Sequence, residues 1–183
     1  MTSTSTSTST STAIAIAYRD AVPADGPELA QMARRSFTDT FGTLYRQEDL
    51  AQFLDDAFGA KGLPADLTDP DYSVRVATDD GAIVGYCKVG PVTFPGDWPE
   101  TAMELHQLYI LGDHHGAGLA PVLMDWALAE MRGRGASEVI LSVYIDNHRA
   151  RRFYERYGFE EIGRYVFKVG DHEDDDRLMR LAL

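Results

Sequence analysis

The sequence predicts a mixed α/β domain, with helices covering a largely antiparallel sheet, and three observations predict it. Hydrophobic spacing switches repeatedly between period two and period 3.6, giving the order β-α-α-β-β-β-α-β-α-β-β. A hairpin signal at Asp79-Asp80-Gly81 and a closing pair of strands around the acidic run "DHEDDD" make neighbouring strands antiparallel. The 183 residues, less a Ser/Thr-rich start, suffice for one well-buried core and are too few for two comfortable domains.

Each element has a local reason. "AIAIAY" (Ala13–Tyr18) alternates as a strand does. In "ADGPELAQMARRSFTDTF", Pro27 and Glu28 suit a helix start, and Leu29, Met32, Ala33 and Phe37 share one face. "RQEDLAQFLDDAF" repeats the pattern through Leu50, Phe53, Leu54 and Phe58, and Gly59 to Tyr72 reads as a loop. "YSVRVATDDGAIVGYCKV" is a hairpin, and "AMELHQLYIL" (Ala102–Leu111) is a further strand. After a turn with Gly116 and Gly118, a helix is expected from about Leu119 to Arg132, with Val122, Leu123, Trp126, Ala127, Ala129 and Met131 on its apolar side. "SEVILSVYI" is continuously apolar, as a strand covered on both faces should be. "DNHRARRFYERYGF" is a short helix that Asp146 or Asn147 can cap and Gly158 ends. "EEIGRYVFKVG" and "DRLMRLAL" complete the order, with "DHEDDD" between them expected as a solvated loop.

Composition narrows the function. A net charge of -12 argues against nucleic-acid binding, which rests on basic patches. No apolar run approaches the roughly 20 residues of a membrane helix, and Met1–Thr12 reads as a disordered polar tail ahead of one domain over residues 13–183. Cys87, the only cysteine, lies in an apolar strand and reads as a buried small side chain, which fits a reducing cytoplasm. No metal site is expected: the "DHEDDD" run lacks the spacing and Gly of a calcium loop. The net negative charge is greater in the first half, where it can draw in a cation or simply confer solubility.

The chemistry concentrates between Met103 and Phe159. Gly116 and Gly118 lack a Cβ and precede a helix N-terminus, whose free amides and dipole suit an anion such as phosphate. The run His115, Gly116, Ala117, Gly118, Leu119, Ala120 resembles the central motif of the GNAT acetyltransferase superfamily, with His where the family carries Arg or Gln. Asn147, Ala150, Phe153, Tyr154, Gly158 and Phe159 resemble that family's next motif. "SFTDTFG" and "YVFKVGDHEDDDRLM" are similar to the PaiA-type bacterial polyamine N-acetyltransferases, which acetylate spermidine and spermine.

The resemblance implies acetyl-CoA as co-substrate. Backbone amides from His115 to Ala120 would cradle its diphosphate, Leu108, Tyr109 and Ile110 would bond its pantetheine arm, and Asn147 would bond the cofactor or cap its helix. Tyr154 would protonate the departing thiolate, or be one of several core aromatics. Glu104 and His106, at alternate positions of one strand, would either take the proton of the amine or be satisfied polar side chains. The implied acceptor is a small primary amine, a polyamine by the closer likeness, met by acids including Asp39, Asp55, Asp56 and the run over residues 171–176. A protein N-terminus, an amino acid or an aminoglycoside, or a non-catalytic CoA-binding regulatory domain, are the alternatives, and a homodimer stays open.

Overall fold

The structure, a computed structural model, describes residues 16–183; the expected tail over residues 1–12, and the start of the first expected strand, lie outside them. The elements are β1 (Ala17–Asp20), α1 (Gly26–Phe41), α2 (Gln47–Phe58), α3 (Leu63–Asp66), β2 (Ser73–Asp79), β3 (Ala82–Pro91), β4 (Ala102–Ile110), α4 (Leu119–Gly133), β5 (Glu138–Tyr144), α5 (His148–Arg156), β6 (Glu160–Val169) and β7 (His172–Ala182). The expected order holds, with the one-turn α3 added inside the segment read as a loop.

The strands form a single seven-stranded sheet, in the order β1-β2-β3-β4-β5-β7-β6. Every pairing is antiparallel except β4 with β5. The β2–β3 turn puts Asp80 at φ 48° and Gly81 at φ 85°, the two positive angles that match a tight hairpin to the twist of its strands. β3 lies inside the sheet, between β2 and β4, and its residues Ile83 to Gly90 are all buried. Tyr86 and Lys88 face the α1–α3 side, where Lys88 pairs with Asp66 of α3, and Cys87 faces the α4–α5 side. Cys87 is fully buried, so its thiol is pushed up by desolvation and packs as a small hydrophobe.

α4 buries Leu119, Leu123, Met124, Ala127, Leu128 and Met131. The stripe is rotated from the expected one: Met124 and Leu128 point inward, whereas Val122 is 44% exposed and Ala129 faces solvent. Leu119, Leu123 and Ala127 set the face, and residues one step further on follow them inward because 3.6 residues per turn broadens the stripe in that direction. α5 is capped by Asn147, whose Oδ1 accepts from Ala150 N at 3.2 Å, and ends ahead of Gly158 at φ 92°. Among the described residues no helix is long and apolar enough to cross a membrane.

The parallel pair β4–β5 is short. Only Ala102, Met103 and Glu104 pair with Glu138, Val139 and Ile140; beyond them the strands part. β4 also carries a bulge at His106, since Lys88 faces Gln107 and Val89 faces Leu105. Leu123→Ala is expected to lower the unfolding free energy by about 2–5 kcal/mol in urea denaturation, while Val122→Ala, on the same helix, should move it by less than about 0.5 kcal/mol.

Candidate active site

Where β4 and β5 separate, the sheet opens into a cavity of about 590 Å³. Leu105 to Ile110 line one wall, and Ser142, Val143 and Tyr144 of β5 the other. The β5-facing backbone of β4 beyond Glu104 therefore has no strand partner and looks into the cavity. One helix layer contributes Phe37, Thr40, Phe41 and the buried Tyr45; the other contributes Gly116, Gly118, Asn147 and Tyr154. A ligand can thus reach the gap from either face of the sheet.

On the α4 side, Gly116 and Gly118 sit at φ 82° and 83°, and Gly118 is the N-cap of α4. A Cβ at either position would meet nothing within 4 Å. Glycine is thus required by backbone conformation rather than by crowding, and the space in front of the turn is open. Within the expected cradle, His115 N bonds Gly112 O at 3.1 Å and Ala117 N bonds His114 O at 3.3 Å. The amides of the turn and first helical turn left for an anion are those of Gly116, Gly118, Leu119 and Ala120.

His115 has a defined role. Its Nε2 donates to Ile110 O at 2.9 Å, locking the turn onto the end of β4. Arg149 Nη1 then donates to its Nδ1 at 2.6 Å, which fixes the Nε2–H tautomer. Arg149, Arg152 and Arg156 recur at helical spacing on the cavity side of α5, while Arg151 turns away to Glu161. This mouth is therefore positive. Asp113, at its rim, is paired with Arg35 of α1 at 3.5 Å.

Tyr154 lies in the cavity wall, edge-on to Phe153 and Phe159 with ring centroids 5.6 and 5.8 Å away. Burial pushes its phenol well above the ordinary tyrosine range, so it stays protonated throughout neutral pH. Tyr157 is not in the cavity. Its Oη bonds Asp125 at 2.9 Å and Pro121 O at 3.2 Å, clamping α5 to α4, and burial with the Asp125 bond pushes it up to about 12.

The opposite mouth is acidic. "DHEDDD" is a two-residue turn at Gly170-Asp171 followed by strand, since Val169 already pairs with His172. Asp174 and Asp176 alternate on the inward face of β7, 4% and 6% exposed, and both line the cavity. Asp174 Oδ2 accepts a short hydrogen bond from Tyr45. The solvated-loop expectation is corrected here: register, not composition, turned these two carboxylates inward. Asp39, Asp55 and Asp56 stay at the surface, the first two in ion pairs with Arg35 and Arg34 and Asp56 bonded to Gln52.

Glu104 and His106 are together but occupied. Glu104 is 5% exposed, and its Oε2 accepts from Thr93 N and Oγ1 at 2.7 and 2.8 Å. Its Oε1 lies 3.0 Å from His106 Nδ1, and His106 Nε2 is 3.0 Å from Pro91 O. His106 reaches the cavity wall; Glu104 does not. Leu108, Tyr109 and Ile110 line the gap as expected, and Asn147 lines it while capping α5. Arg149, Asp174, Asp176 and Tyr45 were not singled out from the sequence as individual site residues. The arginine spacing on α5 could have revealed the first. Among the described residues no group of three His, Cys, Asp or Glu side chains is arranged to hold a metal ion.

A family model described as the Acetyltransferase (GNAT) family matches residues 27–159. An uncharacterized N-acetyltransferase of Mycobacterium tuberculosis is 36% identical over 155 residues, covering 85% of this chain and 96% of that protein. Among solved structures, the PaiA N-acetyltransferase from Thermoplasma acidophilum in complex with coenzyme A has a TM-score of 0.76 at 20% identity, covering 93% of this chain and 100% of that one. The ribosomal-protein-alanine N-acetyltransferase from Brucella melitensis has a TM-score of 0.69 at 24% identity, covering 91% and 99%. An opened sheet beside a glycine turn at a helix N-terminus, with a sequence matched over most of its length, places this chain in the GNAT family of acetyltransferases, as an acyltransferase with acetyl-CoA as co-substrate.

Proposed function

We propose that the enzyme acetylates a polyamine, with acetyl-CoA entering the gap from the α4–α5 side and the amine from the α1–β7 side. One observation carries this reading: the cavity is charged oppositely at its two mouths. Arg149, Arg152, Arg156 and a helix N-terminus stand at one, and Asp174 and Asp176 at the other. A polyanionic cofactor and a polycationic acceptor fit those ends, and neither fits the reverse. The chain's net charge of -12 supports the same class of acceptor.

In this reading the diphosphate bonds the amides of Gly116, Gly118, Leu119 and Ala120, with the α4 dipole adding roughly 0.3–1 kcal/mol. Arg149 supplies the permanent positive charge that His115 lacks in the place of an Arg, while His115 holds the turn. The unpartnered backbone of Leu108, Tyr109 and Ile110 takes the pantetheine amides as a strand would. It also supplies an N–H to the thioester oxygen as negative charge develops there. Tyr154 stands on the thiol side and donates its hydroxyl proton to the departing sulfur. The chain acts in the cytoplasm, where a lone thiol stays reduced.

Four measurements test this. Isothermal calorimetry should show acetyl-CoA binding, with Arg149→Ala raising Kd about two- to fivefold, as for one exposed charge pair, and Gly118→Ala raising it roughly tenfold because αL costs an L-residue about 1–2 kcal/mol. Free-thiol release should be faster with spermidine than with N-terminal peptides or aminoglycosides; preference for a peptide would refute the polyamine assignment. Tyr154→Phe should cut kcat by at least about a hundredfold with acetyl-CoA affinity nearly unchanged, and wild-type turnover would remove Tyr154 from the mechanism. Because burial holds this phenol protonated, no loss of rate from its ionisation should appear up to pH 10.

A further inference from the structure

We propose that Asp176 is the general base of the transfer, its carboxylate taking a proton from the acceptor ammonium on the α1–β7 side of the gap. This rests on the amine-acetylating reading above and deepens it, replacing Glu104 and His106 in that role.

Four observations lead to it. First, the carboxylate and imidazole expected to act are already engaged: Glu104 with Thr93 and His106, and His106 with Pro91 O. Second, Asp176 is 6% exposed, and the cavity is what it borders. It stands across from Tyr144 of β5 and Tyr165 of β6 in the strand register, beside the parted section of the sheet. Third, among the described residues no basic side chain of its own strand forms an ion pair with it. The neighbouring Arg177 is turned to Asp175 and Glu161, the latter at 3.2 Å. A buried carboxylate without a counter-charge is costly unless a ligand brings one. Fourth, Asp174 beside it is held by Tyr45 through one oxygen. Its Oδ1 has no aligned hydrogen-bond donor, although His172 Nε2 lies 3.0 Å away. The acidic mouth thus has acceptor capacity to spare, facing the place an ammonium must occupy.

The groups around Asp176 set its affinity for a proton. Burial raises it, the Ser142 hydroxyl of β5 opposes, Asp174 and Asp175 raise it further and Arg177 lowers it, leaving the carboxyl at about 6. Tyr45 ahead of α2, Tyr109 of β4 and Tyr144 of β5 also sense its charge, and burial keeps these three phenols protonated. A base near 6 is ionised at neutral pH yet more basic than an ordinary aspartate.

The step balances. An N–H bond of the ammonium breaks, and the proton moves to Asp176. The freed nitrogen lone pair forms the C–N bond at the thioester carbon, and the C–S bond pair leaves with sulfur. Tyr154 protonates the thiolate and is reprotonated from water. The surplus proton on the new amide nitrogen, and that on Asp176, pass to solvent.

The test is a pH profile of kcat/KM for spermidine from pH 5 to 9 at saturating acetyl-CoA, for wild type, Asp176→Asn and Asp176→Glu. The wild type should lose activity below an acid limb near pH 6. Asp176→Asn should lower the rate at pH 7.5 by roughly 10²–10⁴-fold and abolish the limb, while acetyl-CoA affinity by calorimetry stays within about twofold. Asp176→Glu should restore a limb and part of the rate. The Asn variant should also fold well. A carboxyl raised on folding contributes stability that is present below its unfolded value of 3.8 and lost as pH rises through 6. The Tm of Asp176→Asn should therefore exceed that of wild type at pH 8, with the gap closing towards pH 5. An Asn variant with wild-type rate and an intact limb overturns the assignment, as does a wild type with no acid limb between pH 5 and 7. If spermidine is inert but a peptide amine or aminoglycoside is acetylated, the polyamine reading alone falls. The same profile on that acceptor then decides Asp176.

Discussion

Strands β4 and β5 stay paired for three residues and then part, and the functional half of the molecule depends on that separation. A central sheet position normally satisfies its backbone with two neighbours. Here one side of Leu105–Ile110 is left facing a cavity, at a cost that a passing ligand with amides of its own can offset. The parting is held open by packing rather than by loops. On its other side β5 pairs with β7 along seven register pairs, while β4 pairs with β3 across its bulge. Tyr157, bonded to Asp125 and Pro121 O, keeps α5 against α4 under the gap.

That geometry puts different electrostatics on the two sides of one sheet. Helix N-termini and the arginines of α5 gather at one mouth, because α4 and α5 both begin near the opened ends of the strands. Carboxylates gather at the other, because two alternate residues of β7 face inward. Charges this close to a low-dielectric interior act on bound groups more strongly than the same charges would in water. In the proposed reading, this arrangement would separate the two reactants by sign and let them meet where the sheet is open. Arg149, hydrogen-bonded to His115, stands where it could supply the positive charge that an Arg at position 115 would bring, while the imidazole ties the turn to Ile110 O.

Much of this was legible beforehand. The hairpin at Asp79-Asp80-Gly81, the glycine turn, the Asn147 cap and the order of elements all follow from local rules: allowed backbone angles, side-chain capping and hydrophobic period. The family resemblance implied cofactor-side roles for Tyr154 and for Leu108 to Ile110, and all four residues line the cavity. Val122 and Ala129 were misplaced on α4, because a stripe read from sequence is defined only to within about one residue either way and the partner strands choose within it. The short α3 leaves no such signal, for a similar reason: one turn after Gly62, with Pro64 inside it, has too few residues to show a period.

The acids divide the two kinds of knowledge most clearly. Composition alone established that this chain carries excess negative charge and a run of five acids in six residues near its end. Which of them matter was decided by pairing register. A turn of two residues at Gly170-Asp171 places Asp174 and Asp176 inside and Glu173 and Asp175 outside, and a shift of one residue would exchange them. Likewise the sequence determined that Glu104 and His106 share a strand face, but only the folded chain brought Thr93 and Pro91 to occupy them. Local conformation is set by neighbours in the chain and can be read there. The environment of a titratable group is set by residues far away in sequence, and it exists only once the sheet has assembled.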